Sequence, residues 1–498
     1  MSATPYDMIL SGGRVVDGTG MPARLADVAL TGDRVVAIGD LGAAPAKARF
    51  DVKGKVIAPG FIDVHTHDDN ILLRAPDMAM KVSQGVTTVV VGNCGVSLAP
   101  LTLDRDPPPP LDLIGDRGEY RFPRFRDYLG ALDAAPAAVN AACLVGHASL
   151  RVGAMDRLDR AATRDEIRAM AARLDEALDA GAIGMSTGLF YPPARHAPTE
   201  EVIELAHVVK RHDGLYTTHM RDEGDRVMEA LDESFTIGRA AEVPVVISHH
   251  KVVGARNFGR SRETLARIEA ARKEQPIAID VYPYIASSTV LGPERLENAR
   301  KVIVTWSKAR PDVNGRDLDD IAREMGLPRA EAAQALMPAG AIYFQMDEDD
   351  VRRILSWPEA MIGSDGLPHD THPHPRLWGT FPRVLGHYSR DMKLFSLEEA
   401  VRRMTSLTAD RFGLKDRGVL RAGAYADLVV FDPERVIDRA TFEHPRSPSA
   451  GIELVLVNGA PVWRDGAPTG ARPGRSLRRS DLDPPMASIR TDAARRPR

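Results

Sequence analysis

From residue 60 onward, short runs rich in valine and isoleucine alternate with helical patterns, and this alternation constrains the fold more than any other feature of the sequence. Strands that alternate with helices predict repeated βα units around a parallel sheet. Eight segments are predicted to be its strands: 61–65, 87–91, 141–145, 182–186, 215–219, 243–248, 277–282 and 360–363. Eight such units favour an α/β fold, a closed (β/α)8 TIM-type barrel over residues 59–412 with functional groups at the carboxyl ends of its strands. A doubly wound open sheet is the structural alternative.

The two ends of the chain fall outside this alternation. Residues 1–58 contain short strand patterns separated by turns, and residues 413–475 contain two more, with Asn458-Gly459 as a hairpin turn. We expect both regions to form one small β-sandwich domain.

Three further segments interrupt or follow the barrel pattern. Residues from about 287 to 345 separate the last two predicted strands and carry helical patterns of their own, which predicts an inserted subdomain. The loop 101–125 is stiffened by Pro107 to Pro110, and its length fits either a lid or a spacer. The tail 476–498 is rich in Arg, Pro and Asp, lacks apolar periodicity and is predicted to be disordered.

Composition narrows the classes of partner. The 498 residues carry a net charge of -4, and 44% are hydrophobic, which is ordinary for a globular protein. The sequence has no excess of basic residues that would favour nucleic-acid binding, and no apolar run is long enough to span a membrane. The first residues do not resemble a secretory signal. We therefore expect a cytoplasmic monomer or small homo-oligomer that acts on a small molecule, without nucleic-acid or membrane partners.

Two histidines stand two residues apart at the end of the first predicted strand. Residues i and i+2 of a strand face the same side, so His65 and His67 present both imidazoles in one direction. This arrangement suits a divalent transition metal, and Asp63 and Asp68 are candidates to orient the second ring nitrogens. The alternative is that local hydrogen bonds satisfy both histidines.

Other metal-ligand residue types follow later strands. Cys94 lies in a glycine-bounded turn after the second strand, His219 ends the fifth, the pair His249 and His250 ends the sixth, and Asp365 follows the eighth. Side-chain alternation directs only one of the paired histidines inward, and the sequence does not choose between them. The only other cysteine, Cys143, lies within a strand and is predicted to be a packing residue.

These residue types at one barrel mouth predict a metal-dependent hydrolase. Zn²⁺ lowers the pKa of a bound water to about 7 and polarises a carbonyl group. In such a site Asp365 is the candidate general base and acid, which accepts a proton from water and delivers it to the leaving nitrogen.

Seven motifs in order along the chain resemble one known family. The segments GFIDVHTHDD, VGNCGVS, GMSTGLFYPP, THMRDE, ISHHK, DVYPYIASST and GSDGLPHD are similar to those of the N-acyl-D-amino-acid deacylases, or D-aminoacylases, of the amidohydrolase superfamily. The resemblance implies zinc-dependent hydrolysis of N-acyl-D-amino acids to a carboxylate and a free D-amino acid. It also implies two metal positions, and their ligands are Cys94, His219 and His249 for a tight zinc and His65, His67 and Asp365 for a weaker second metal.

The resemblance further implies a substrate site. Its members are a clamp for the α-carboxylate made by Lys251, Tyr282, Ser288 and Arg376, and Tyr191 near the scissile carbonyl. Without this context, Lys251 and Arg376 would be ordinary surface charges.

The sequence allows two interpretations of the pocket that would bind the substrate side chain. Arg295 is a candidate to pair with an acidic substrate such as an N-acyl-D-glutamate, or else it is a structural partner of Glu294, Glu297 or the helices of the insert. Alternatively, Tyr343, Phe344 and Met346 line an apolar pocket.

Two alternative functions remain at this point. One is a cyclic amidase of the hydantoinase or dihydroorotase type, or a deaminase, and the other is a non-catalytic assembly protein with the same fold.

Overall fold

The computed structural model describes residues 5–486, and its central element is a parallel barrel. The barrel strands are, in order, Phe61–Asp63, Val86–Val91, Asn140–Cys143 continued by Val145–Gly146, Gly184–Gly188, Leu215–His219, Val245–Ile247, Ile277–Val281 and Ala360–Ile362. Each strand pairs in parallel with the next, and a bridge between Thr66 and Gly366 joins the first strand to the eighth. The predicted (β/α)8 fold class is confirmed.

Helices connect and flank the barrel strands. Their bounds are Ile71–Arg74, Ala79–Val82, Phe125–Ala134, His147–Ala154, Arg164–Ala180, Thr199–Arg211, Val227–Ala241, Ser261–Arg272, Glu348–Ser356, Arg376–Arg383, Leu397–Met404 and Ser406–Phe412, with a π-helical stretch at Val384–Asp391. Short 3₁₀ turns lie at Leu111–Leu113, Arg117–Glu119, Ala255–Asn257, Pro293–Asn298, Pro311–Val313 and Arg479–Asp481.

The helix Arg164–Ala180 illustrates how local sequence sets these bounds. The Glu166 amide donates to Thr163 Oγ1 and the Thr163 amide donates to Glu166, which forms a capping box at the N-terminus. Gly181 ends the helix with a φ of 121°.

Alternating residues of the strands fill the lower half of the barrel. These residues pack into one buried cluster, and they are Ile62, Val64, Val90, Ala142, Leu144, Ile183, Leu215, Val246, Ala278 and Met361. The barrel is therefore a packed core that supports a site at its upper rim, and not an open pore.

Part of the tail belongs to this core. Ser476–Leu477 pairs in parallel with the third barrel strand, and Leu477 and Met486 are buried in the same cluster. The prediction of disorder is wrong for residues 476–486, because two apolar anchors in a polar segment give no periodic signal. Residues 487–498 lie outside the described part of the chain.

Both ends of the chain form a second β structure of nine strands. Its strands are Tyr6–Val15, Arg24–Thr31, Arg34–Gly39, Ala46–Asp51, Val56–Pro59, Leu428–Phe431, Ile452–Val457, Ala460–Arg464 and Ala467–Pro468. Asn458 and Gly459 both have positive φ and make the expected hairpin turn. The first of these strands is irregular between Leu10 and Gly13, where its register against the second strand shifts.

The insert lies above the barrel rim. Its strands Ala286–Val290, Lys301–Ser307 and Ala339–Phe344 form an antiparallel sheet, and its helices Leu318–Met325 and Arg329–Leu336 close a separate apolar core. The loop 101–125 pairs Leu101–Thr102 with Arg121–Phe122, and its Asp106 bonds Lys308 of the insert at 2.9 Å. The proline-rich loop and the insert are therefore in contact.

Within residues 5–486, no helix combines the length and apolar character needed to cross a bilayer. The cellular location and the oligomeric state stay predictions.

Candidate metal centre

Three candidate ligands occupy strained turns at the strand ends. Cys94, His249 and Asp365 have φ values of 54°, 37° and 50°, a region that side-chain-bearing residues seldom adopt. Gly92, before Cys94, has a φ of 79°, and a Cβ there would lie 2.2 Å from the Leu144 carbonyl oxygen. Backbone strain of this kind is concentrated at functional sites, where the surrounding structure enforces it.

These turns bring four donor atoms together. Cys94 Sγ lies 3.2 Å from His65 Nε2 and 3.3 Å from His249 Nε2. Asp365 Oδ1 lies 3.6 Å from His65 Nε2, and the four donor atoms all fall within 4.8 Å of one another. All four residues are buried.

The two remaining predicted ligands flank this cluster. His67 Nε2 lies 3.2 Å from Asp365 Oδ1. The His219 ring lies 4.5 Å from that of His249, and its Nδ1 makes no hydrogen bond within residues 5–486. All six predicted ligands therefore meet at one site, although the tightest cluster combines members of both predicted metal positions.

The structure distinguishes the two adjacent histidines. His249 points toward Cys94, whereas His250 Nε2 bonds Thr264 Oγ1 at 2.9 Å behind the strand. His249 is thus the member of the pair that faces the site, as the family resemblance implies.

The site contains anionic and neutral donors. Burial would raise the pKa of the Cys94 thiol, but the His65 and His249 imidazoles lower it well below its ordinary value. For His219, burial disfavours the protonated form and lowers the pKa to about 3, which keeps this imidazole neutral. Burial alone would lower the pKa of His67, but hydrogen bonds with Asp365 and Cys94 outweigh this effect and raise the pKa to about 9. The electrostatic potential at the site therefore favours a cation.

Two carboxylates near the cluster have no counterpart in the sequence-based predictions. Asp280 faces His65 Nδ1 at 3.4 Å, and its Oδ1 accepts a hydrogen bond from the His249 amide at 2.8 Å. Glu223 Oε1 lies 3.0 Å from His249 Nδ1. Both carboxylates lie in motifs that carry the family resemblance, Glu223 in THMRDE and Asp280 in DVYPYIASST, and the i,i+4 spacing of His219 and Glu223 is a further local signal. Asp280 lies 215 residues from His65.

Asp63 and Asp68 do not orient the two histidines of the first strand, which corrects the prediction from their adjacency. Both instead bind the buried Lys81, at 2.8 and 3.2 Å, and the Lys81 ammonium also donates to Ser364 Oγ. Because Ser364 precedes Asp365, this ion network ties the first barrel strand to the eighth.

We expect Lys81→Met to lower the free energy of unfolding by about 3–5 kcal/mol, because two buried carboxylates lose their cation. Lys55→Met is the matched control, since Lys55 also binds two carboxylates, at 2.9 and 2.6 Å, but is a quarter exposed. It should cost about 0–1 kcal/mol. Chemical denaturation measures both variants, and equal losses would contradict the role of burial.

The residues of the predicted carboxylate clamp lie beside the cluster. The Tyr282 ring is 4.5 Å from the Arg376 guanidinium and 5.6 Å from the Lys251 ammonium. Arg376 Nη1 lies 2.9 Å from Asp365 Oδ2 and Nη2 donates to the Ser288 carbonyl oxygen. Arg376 and Lys251 are buried, so neither is a solvated surface charge.

Tyr191 and Arg295 face a cavity of about 430 Å³ next to the cluster. The Tyr191 ring lies 4.8 Å from His219, and its hydroxyl contacts Thr289 Oγ1 at 2.9 Å. The Arg295 guanidinium stacks 4.1 Å from the Phe190 ring, and its Nε and Nη2 make no hydrogen bond within the described residues. The alternative pairing of Arg295 with Glu294 or Glu297 is absent from residues 5–486.

The three residues predicted to line an apolar pocket lie in different places. Tyr343 is buried and lies 6.0 Å from the Arg295 guanidinium, while Met346 packs beside His249 and Tyr282. The Phe344 ring instead packs against the Phe442 ring, with centroids 4.7 Å apart and the ring planes tilted by 51°, so only the first two lie near the site.

The residues present fit a bound transition metal. A thiolate, imidazoles and a carboxylate form the donor set that zinc and related ions take, and His219 Nδ1 is a buried nitrogen without a partner in the described chain. A (β/α)8 barrel with this set at its strand ends defines the class of metal-dependent barrel hydrolases.

Comparison with known proteins identifies the family within this class. Residues 49–270 and 262–463 match the model of the amidohydrolase family. The chain is 60% identical to the D-aminoacylase of Alcaligenes xylosoxydans xylosoxydans, over 96% of this chain and 98% of that protein. It is 52% identical to the N-acyl-D-aspartate deacylase of the same organism, over 96% of each chain.

Solved structures agree with the sequence comparison. A D-aminoacylase crystal structure superposes with a TM-score of 0.94 at 60% identity, covering 95% of this chain and all of the other, and a binuclear metal centre is described for that enzyme. An N-acyl-D-glutamate deacylase from Bordetella bronchiseptica, complexed with zinc and a phosphonate inhibitor, gives 0.92 at 49% identity, covering 95% of this chain and all of the other. The chain belongs to the N-acyl-D-amino-acid deacylase family of amidohydrolases, and it is a metal-binding hydrolase of linear amides.

Proposed function

We propose that the protein hydrolyses N-acyl-D-amino acids to a carboxylate and a free D-amino acid in a zinc-dependent reaction. The observation that carries this proposal is the cluster of His65, Cys94, His249 and Asp365, whose donor atoms lie within 4.8 Å of one another. The identity of 50–60% to three deacylases of N-acyl-D-amino acids supports the substrate class.

The candidate ligands would divide between two positions. Cys94, His219 and His249 would hold a tight zinc, and His65, His67 and Asp365 a second, weaker metal. A bound zinc would supply Lewis-acid activation of water and of the scissile carbonyl.

Asp365 is the proposed proton carrier. Its Oδ1 faces His67 Nε2 at 3.2 Å, and its Oδ2 is held by Arg376 at 2.9 Å. Burial would raise the pKa of Asp365, but the charges of Arg376 and His249 lower it well below its ordinary value. An ionised carboxylate fixed at the cluster can accept a proton from water at Oδ1 and return it to the departing nitrogen.

The substrate would be oriented by the groups beside Asp365. Lys251 and Arg376, both within 5.6 Å of the Tyr282 ring, would present two cations to an α-carboxylate, and Arg376 has the planar geometry for bidentate contact. Ser288 would contribute at the edge of the insert, and Tyr191 would face the scissile carbonyl from the His219 side. With the carboxylate and the scissile carbonyl both fixed, the direction of the side chain distinguishes the two enantiomers.

A screen of N-acetyl-D- and N-acetyl-L-amino acids tests the proposed function. We expect kcat/KM to be measurable for D substrates only, and to disappear after chelation and return with added zinc. A hydantoin and dihydroorotate serve as cyclic controls. Turnover of either cyclic amide without turnover of any acetyl-D-amino acid would contradict the proposal.

Arg295 is the proposed reader of the substrate side chain. A half-buried guanidinium with unsatisfied N–H groups favours an acidic D-amino acid, because without a carboxylate those groups stay unpaired. Arg295→Met should shift the ratio of kcat/KM for acetyl-D-glutamate over acetyl-D-leucine by about tenfold to a hundredfold toward leucine. Arg195→Met is the control, since Arg195 lines the same cavity but is exposed. An unchanged ratio in Arg295→Met would remove Arg295 from side-chain recognition.

A further inference from the structure

The turn that carries Cys94, residues 92–95, has a backbone conformation that is unfavourable for a cysteine. Gly92, Cys94 and Gly95 have φ values of 79°, 54° and 78°. The two glycines adopt this left-handed region freely, but Cys94 does so at a cost in free energy. Other parts of the molecule must therefore hold the turn, because relaxation of Cys94 to an ordinary φ would redirect its thiolate.

Ser186 bonds both ends of this turn. It lies in the fourth barrel strand, Gly184–Gly188, and is fully buried. Its Oγ accepts a hydrogen bond from the Gly95 amide at 2.9 Å and donates one to the Gly92 carbonyl oxygen. One hydroxyl thus joins the first residue of the turn to the last and uses both its donor and an acceptor position.

The other hydrogen bonds of the two end residues reach one end only. Asp69 Oδ2 accepts from the Gly92 amide at 3.3 Å, and the Gly95 carbonyl oxygen accepts from the Ser149 amide at 3.3 Å. Within residues 5–486, Ser186 is therefore the one side chain that joins both ends.

The backbones of the neighbouring strands confine the turn. A Cβ at Gly188 would lie 2.2 Å from the Cys94 carbonyl oxygen, and a Cβ at Gly146 would lie 2.4 Å from the Gly95 carbonyl oxygen. Without the hydroxyl of Ser186, a buried amide and a buried carbonyl would lose their partners, which is costly. A turn confined in this way can recover those bonds only by changing its own dihedral angles, and Cys94 is the strained residue within it.

A change in these dihedral angles acts directly on the donor cluster. Cys94 Sγ lies 3.2 Å from His65 Nε2 and 3.3 Å from His249 Nε2, and both histidines are carried by other strand ends. The position of the thiolate relative to the imidazoles therefore depends on the turn. The hydroxyl of Ser186 bonds only backbone groups of that turn, so it would act through Cys94 and not on the metal itself.

We propose that Ser186 is a positioning residue of the metal centre. Its two hydrogen bonds hold the turn in the conformation that directs the Cys94 thiolate at His65 and His249. This inference rests on the proposed function, because the metal site that Cys94 serves is part of it.

Ser149 provides the matched control. It is also fully buried, and its Oγ also bridges two backbone groups, since it accepts from the Ser97 amide at 2.9 Å and donates to the Ser97 carbonyl oxygen at 2.8 Å. Those groups lie outside the turn. The bond from the Ser149 amide to Gly95 is made by the backbone and stays in Ser149→Ala.

The test compares Ser186→Ala with Ser149→Ala in the full-length protein. Zinc affinity is measured by competition with a chromogenic chelator, and thermal unfolding of the metal-free proteins measures stability. We expect both variants to lose stability to a similar degree. Only Ser186→Ala should bind zinc about 10–100-fold more weakly than the wild type, as expected for a residue that orients a metal ligand.

A second readout reports the thiolate directly. Co²⁺ bound to a cysteine thiolate has a charge-transfer absorption that is absent when only nitrogen and oxygen atoms bind the ion. We expect this absorption, per bound Co²⁺, to be weakened and shifted in Ser186→Ala and unchanged in Ser149→Ala. A hydroxyl that only stabilises the fold would leave the absorption per bound ion as in the wild type.

The outcomes separate the inference from the proposed function. Wild-type protein that neither binds zinc nor hydrolyses acetyl-D-leucine would overturn the proposed function. Wild-type protein that does both, with either readout unchanged in Ser186→Ala or equally changed in Ser149→Ala, would overturn only the role of Ser186. A Ser186→Ala protein that does not fold while Ser149→Ala does would overturn it as well, because Ser186 would then be required by the barrel itself.

Discussion

We expect Cys94→Ala to lose bound metal and hydrolytic activity together. Cys94 Sγ is central to the donor cluster, with two histidine nitrogens at 3.2 and 3.3 Å, and alanine removes the only thiolate. Metal binding at such a site depends on the deprotonated thiol, so its loss removes a ligand and its charge. Elemental analysis of the purified variant, alongside kcat for acetyl-D-leucine, measures both effects.

Cys143→Ala is the control for this experiment. Cys143 is also buried, and burial raises the pKa of its thiol, so it stays protonated within the third barrel strand. We expect the Cys143 variant to keep its metal and its kcat and to lose only stability. Full metal content in Cys94→Ala would remove Cys94 from the metal centre.

We expect Asp365→Asn to lower kcat by several orders of magnitude while the protein stays folded and keeps the metal at the proposed tight position. Loss of general acid/base catalysis accounts for roughly 10²–10⁴-fold, and the altered second metal position adds to it. The substitution also leaves the fully buried Arg376 without its carboxylate at 2.9 Å, which costs stability. Steady-state kinetics, metal analysis and thermal unfolding separate the three contributions.

Asp370→Asn distinguishes a catalytic carboxylate from a merely buried one. Asp370 lies five residues further along and is equally buried, but it is outside the donor cluster of the described residues. Burial raises the pKa of Asp370 to about 7. A kcat of Asp365→Asn close to that of the wild type, or equal losses in both variants, would remove Asp365 from the mechanism.

The sequence by itself determined the barrel and the residue types at its rim. The eight strands were predictable because alternation and apolar runs are local properties that survive in any fold built from them. The predicted first strand reached His65, whereas the strand ends at Asp63, and His65 and His67 lie in the segment that follows it with ring centroids 5.7 Å apart. The turn around Cys94 follows from the glycines at 92 and 95. Motif order along the chain then identified the family.

Only the tertiary structure decided which side chains meet. His249 rather than His250 faces Cys94 because of a left-handed backbone at His249, with a φ of 37°, which strand periodicity does not include. Asp63 and Asp68 bind Lys81 rather than the histidines beside them, and the carboxylates that do face His65 and His249 come from Asp280 and Glu223. Which charged groups pair depends on their distance in space. Burial makes each pairing energetically important, because an unpaired charge away from water has a high free-energy cost. These pairs are separated by 13 positions for Asp68 and Lys81 and by 215 positions for His65 and Asp280, so no fixed sequence spacing encodes them.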